Sequence, residues 1–134
     1  MNRLLLAVSL AAVAGSVQAH HSAAMFDHTK TITVQGTVKE FQYTNPHSWL
    51  QVVVVSSDGK ATEWGFEAEG PSTLLHMGIK PSTFKPGSKV TVVANPMKDG
   101  RPAGSWITVT TADGTVYGRR RGGPPPRSRA PSES

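Results

Sequence analysis

Between Glu69 and Ile79 the chain changes period, and that change limits the folds open to it. Before it, three stretches read as strands, two by two-residue alternation and the middle one as a β-branched apolar run. Lys30 to Tyr43 carries Ile32, Val34, Val38 and Phe41 at apolar positions. Trp49 to Val55 is β-branched and apolar, with Val53 an expected core position. Ala61 to Glu67 sets Trp64 and Phe66 on one face and Glu63 and Glu67 on the other, solvated one. Gly70 to Gly78 then reads as one short helix near residues 71–77. Pro71 suits its first turn and Gly78 its end. Leu74, Leu75 and Met77 are expected to face the core. Strand patterns resume at Ser88–Ala94, Ser105–Thr111 and Thr115–Tyr117. Asp58-Gly59 and Asp113-Gly114 are hairpin signals. Thr44-Asn45-Pro46-His47 is a turn whose φ is set by proline.

Three strands, a helix and two further strands is the element order of an OB-type barrel. Gly36, near the middle of the long first strand, predicts a bulge or sharp bend there. The expectation is an all-β domain with one short helix, a small OB-like β-barrel over about residues 30–117. A small open sandwich is the alternative.

The ends of the chain read differently. Arg3 followed by the mostly apolar run Leu4–Ala14 and the small-residue pattern Val17-Gln18-Ala19 is a secretion signal in residues 1–19. Its apolar run is too short for a transmembrane anchor, which takes about 20 residues. Cleavage after Ala19 places the mature protein in the periplasm or outside the cell. The chain has no cysteine, which excludes a disulfide framework and thiolate chemistry. The formal charge of +5 is a property of the ends. Residues 20–117 hold eight Lys or Arg and eight Asp or Glu, whereas the last 17 residues hold five Arg and one Glu. No nucleic-acid partner is therefore expected for the domain. Residues 118–134, rich in Arg and Pro, lack the apolar side chains to order themselves. The domain proper, with an N-terminal arm, is residues 20–117.

Four of the five histidines carry the chemical argument. After cleavage His20 is the terminal residue, and its α-amine and ring Nδ1 form a chelate for one metal ion. Nitrogen donors of these kinds suit Cu(II), Ni(II) and Zn(II), with copper bound most strongly. His47 is held by the proline-fixed turn, while His21 and His28 are further ligands within the arm. Asp27 is a candidate acceptor orienting the His28 ring. Met25 is either a soft copper ligand or a plug for the barrel end. His76 is expected on the helix surface. Among the carboxylates, Glu63, Glu67 and Glu69 form no convincing pair. The spacing recommends no nucleophile, base and acid set, and no glycine-rich phosphate loop is present. Tyr43, Trp49, Trp64 and Trp106 are core or a stacking platform.

Several blocks together carry a resemblance. Ala19-His20-His21-Ser22 is followed by Met25-Phe26-Asp27, Gly36-Thr37-Val38-Lys39-Glu40-Phe41 and Asn45-Pro46-His47. Trp64, Leu74-Leu75, Gly78, Lys85-Pro86-Gly87, Val90, Asn95-Pro96 and Asp113-Gly114 continue it. The chain resembles the exported bacterial proteins grouped as domain of unknown function 6152. That resemblance implies a small periplasmic domain and assigns no activity. Two readings follow: a periplasmic binding protein for copper, or a structural module that docks to an envelope protein, its histidines incidental.

Overall fold

The computed structural model describes residues 24–118. The expected signal, His20, His21 and the tail after Gly118 lie outside them. Six strands and one helix follow in order: β1 (Ile32–Gln42), β2 (Ser48–Val55), β3 (Ala61–Ala68), α1 (Pro71–His76), β4 (Lys89–Pro96), β5 (Ala103–Thr111) and β6 (Val116–Gly118). Antiparallel ladders join β1 to β2, β2 to β3, β1 to β4 and β4 to β5. A short parallel ladder, Gly65–Glu67 against Ala103–Ser105, closes β3 onto β5. The result is a closed five-stranded OB-like barrel, with β6 added beside β5.

β1 closes the barrel by serving two neighbours. Ile32–Thr37 pairs with β4, and Thr37–Gln42 pairs with β2. The register slip that lets it turn falls between Val38 and Glu40, two residues past the expected Gly36. Gly36 answers to a different demand. A Cβ there would stand 2.5 Å from the Val53 carbonyl oxygen and 2.6 Å from Val52 Cγ1. The close approach of β2, rather than a bulge, requires the missing side chain.

The core is the inner face of the barrel plus a cap. Val34, Val38, Leu50, Val52, Phe66, Val92, Ala94, Trp106 and Val109 fill the interior. Leu74 of α1, Ile79 and Phe84 come in from the segment between β3 and β4. The Phe84 ring meets Phe41, Trp106 and Tyr117 edge-on, at centroid distances of 5.2, 5.7 and 5.3 Å. Burying one such ring contributes about 1.5–3 kcal/mol over leaving it in water. Three sequence expectations shift here. Leu75 is 57% exposed, because a six-residue helix presents one face and Leu75 lies about 100° around from buried Leu74. Val53 lies half-buried on the outer face, and its neighbour Val52 is the core residue. Trp64 is only partly buried, stacked on Phe66 at 6.0 Å.

The N-terminal arm is a short extra strand. Phe26 bridges Met97, the Asp27 N–H donates to the Pro96 carbonyl at 2.8 Å, and the Lys98 N–H donates to the Met25 carbonyl at 2.9 Å. Phe26 and Met97 are both buried, yet they form a cluster apart from the main core. Phe26 thus takes the packing role considered for Met25, which is 39% exposed. No helix among the described residues is long and apolar enough to cross a membrane.

Candidate functional site

The turn between β1 and β2, which carries His47, packs against the start of α1. Asn45 and Pro46 are joined by a cis peptide bond. The Thr44 hydroxyl donates to the His47 carbonyl at 2.9 Å, and the Thr44 N–H donates to the buried Ser48 hydroxyl at 3.3 Å. The Ser48 N–H donates to the Glu69 carbonyl at 3.2 Å. Gly70 has no side chain because a Cβ there would lie 2.7 Å from the Pro46 carbonyl oxygen. The Tyr43 hydroxyl lies 2.9 Å from the Pro71 carbonyl and 3.0 Å from that of Ile79, tying the turn to both ends of the helical segment.

From this turn the His47 ring reaches Glu67 on β3, and its Nδ1 meets Oε1. The carboxylate is nearly buried, at 7% exposure, whereas the imidazole is 30% exposed. Alternation places Glu67 on the outer face, as the sequence implies, but that face is not solvated at this point. Glu67 sits where β3 is paired on both sides, with Trp49 of β2 and Ser105 of β5. A carboxylate there accepts the hydrogen on Nδ1, so in a neutral ring the lone pair of His47 is on Nε2. A buried carboxylate that orients an imidazole in this way is the usual support of a histidine metal ligand.

The same row of the sheet continues to His28. Glu67 pairs with Ser105 across β3 and β5, and Ser105 pairs with Asn95 across β5 and β4. Ladder partners share a face, so these three lie in one outer row, with Glu67 and Asn95 two strand spacings, about 10 Å, apart. His28 Nδ1 meets Asn95 Oδ1 at 3.2 Å. Two of the four proposed ligands are therefore anchored at the two ends of one polar row. His20 and His21 lie outside the described residues. Among the described residues no three His, Cys, Asp or Glu side chains gather as a metal cage.

Other candidates fall elsewhere. Asp27 does not orient His28. Its Oδ1 accepts from the Thr29 hydroxyl at 2.6 Å and from the Thr29 N–H at 3.1 Å, and these bonds hold the carboxyl below its usual pKa range. His76 is exposed on α1, its Nδ1 2.7 Å from the Ser72 carbonyl, as the helix pattern suggested. Trp106 is core, while Trp49 lies half-buried on the outer face. An open groove of about 460 Å³ between β1, β2, β4 and β5 is lined by Gln35, Thr37, Val53, Lys89, Thr91 and Thr110 among others, and by no histidine.

The model of one protein family, described as a family of unknown function, DUF6152, matches residues 7–108. The chain belongs to DUF6152. No curated protein and no solved structure matches it. The DUF6152 match spans β1 to β4, His28, His47, Glu67 and Asn95, and ends within β5. What sequence reasoning missed in this DUF6152 domain is the support: Glu67 and Asn95. No local signal marks Glu67, since its burial comes from β5 arriving in parallel at the end of β3. Asn95 falls just past the predicted strand Ser88–Ala94, and only the docked arm makes it a partner of His28.

Proposed function

We propose that the processed protein is a small periplasmic binding protein for copper. Cu(II) is held by the α-amine and Nδ1 of terminal His20 and by Nε2 of His47, with His21 or His28 as a further ligand. The observation that carries this reading is the contact between His47 and nearly buried Glu67; a ring held through Nδ1 supports Nε2 as the ligating nitrogen. The arm adds support. It docks at the end of β4 on the sheet that carries Glu67, with the Met25 carbonyl accepting from the Lys98 N–H, and the four residues from Ala24 back to His20 extend its reach by up to about 13–14 Å.

Copper titration of the protein beginning at His20, beside a form with one extra residue ahead of His20, tests the reading. The native terminus is expected to bind Cu(II) much more tightly, although both forms keep every histidine. Equal binding, or binding no tighter than that of a generic histidine peptide, refutes the terminal chelate.

A second reading, a module that docks to an envelope protein, draws on the outer face of β2 and β3. There a Cβ on Gly65 would lie 3.6 Å from the Trp49 ring, so Trp49 lies across the glycine. OB-type barrels bind their ligands on this face. This reading stands if neither terminus binds copper.

A further inference from the structure

The contact between His28 and Asn95 has a direction that a neighbouring bond fixes. Asn95 Nδ2 donates to the Lys30 carbonyl at 2.7 Å. A carbonyl oxygen only accepts, so this bond settles which end of the amide is nitrogen. The other end, Oδ1, faces His28 Nδ1 at 3.2 Å. An amide oxygen also only accepts, so the hydrogen in that contact belongs to His28 Nδ1. In a neutral imidazole the lone pair then sits on Nε2. His47 arrives at the same state by another route, since a carboxylate accepts from its Nδ1. Two imidazoles from separate parts of the chain are thus set with Nδ1 as donor and, when neutral, with Nε2 as acceptor. Their anchors, Asn95 and Glu67, are joined through Ser105 in one outer row.

We infer that Asn95 is a positioning residue of the metal site, fixing the His28 tautomer so that Nε2 is presented to a divalent transition metal on the row that carries His47. This rests on the metal-binding reading above. Nε2 in this state accepts either a donor hydrogen or a metal ion, and a metal displaces the donor. Asn95 also holds the arm through Lys30, so its two polar atoms join the path of the arm to the state of the ring that the arm carries.

The test uses the protein from His20 to Ser134, labelled with 15N, at mildly alkaline pH. Ring proton–nitrogen correlations report the tautomer of each histidine before any metal is added. His28 is expected with hydrogen on Nδ1, and the opposite tautomer overturns the inference. Zn(II), a diamagnetic probe, is then titrated into the native protein, Asn95→Ala and Asn95→Asp. Both variants lose the bond to the Lys30 carbonyl, but only the aspartate keeps an acceptor for Nδ1. Far-UV circular dichroism checks that each is folded. Zn(II) affinity is expected to fall about 10–100-fold in Asn95→Ala, as for other residues that orient ligands, and to stay near native in Asn95→Asp. Equal losses in the two variants reduce Asn95 to an arm fastener and overturn the inference. Zinc that shifts the His47 ring but not the His28 ring overturns it too, while leaving the copper reading intact. A native protein that binds no Zn(II) and no Cu(II) removes the metal reading and this inference together.

Discussion

His47 and Glu67 lie twenty residues apart in sequence and meet ring to carboxylate at the rim of the barrel. The contact joins the turn after β1 to the end of β3. It also pairs a largely buried carboxylate with an imidazole that solvent still reaches. Removing the carboxylate leaves the ring's Nδ1 without its acceptor in a part-buried setting. Glu67→Ala is therefore expected to cost about 1–3 kcal/mol in urea denaturation. Glu67→Gln keeps the shape and an acceptor oxygen but drops the charge. It is expected to cost less stability and still to weaken copper binding about 10–100-fold. A Glu67→Gln protein that binds copper like the native one would detach this carboxylate from the proposed site.

Leu74 and Leu75 are adjacent in α1 and have opposite surroundings. Leu74 is fully buried and Leu75 is 57% exposed. Leu74→Ala is expected to cost about 2–5 kcal/mol, as for core truncations generally. Leu75→Ala is expected to stay within about 0.5 kcal/mol of native, as surface changes do. Thermal melts of the two variants measure the contrast, and similar losses would contradict the way the helix caps the barrel.

At Gly36 the added methyl of alanine would meet both the β2 backbone and the buried side chain of Val52. The Val53 carbonyl oxygen stands 2.5 Å from that Cβ position. Gly36→Ala is expected to destabilise by about 1–3 kcal/mol through overpacking where β1 crosses β2. Chemical denaturation reads this directly, and a neutral result would mean that β1 and β2 separate there at little cost.

Asp58 and Asp113 organise the β2–β3 and β5–β6 turns by accepting from their own neighbours. Asp58 takes hydrogens from the Ser56 hydroxyl and the Lys60 N–H, and Asp113 from the Thr111 hydroxyl and the Thr115 N–H. Hydroxyl bonds come first among the causes that hold both carboxyls below the ordinary value of 3.8. For a carboxyl depressed on folding, the contribution is complete above the unfolded pKa and is lost as pH falls through the folded one. Both hairpins are thus expected to keep their turn bonds down to about pH 4 and to loosen only below the ordinary value. Carboxyl carbon shifts followed by NMR during acid titration check this. A midpoint above 3.8 for either residue would contradict the turn geometry.

Much of the barrel was legible in one dimension. Apolar pattern and turn signals located the six strands, and the change of period at Gly70 located α1, because the two-residue and 3.6-residue repeats follow from which side chains each element can bury. Asp58-Gly59 and Asp113-Gly114 announced their hairpins, and both glycines take positive φ, 83° and 84°. The proline-fixed turn singled out His47. Local pattern assigns a face, but not what covers that face. Glu67 and Val53 alternate alike onto the outside of the barrel, yet β5 and the His47 turn close over one and leave the other half-exposed. Leu74 and Leu75 carry the same side chain, and only the place where α1 sits on the barrel separates them. The partners of His28 and His47 lie 67 and 20 residues away. Those meetings depend on barrel closure and arm docking, which bring together residues that no local period relates.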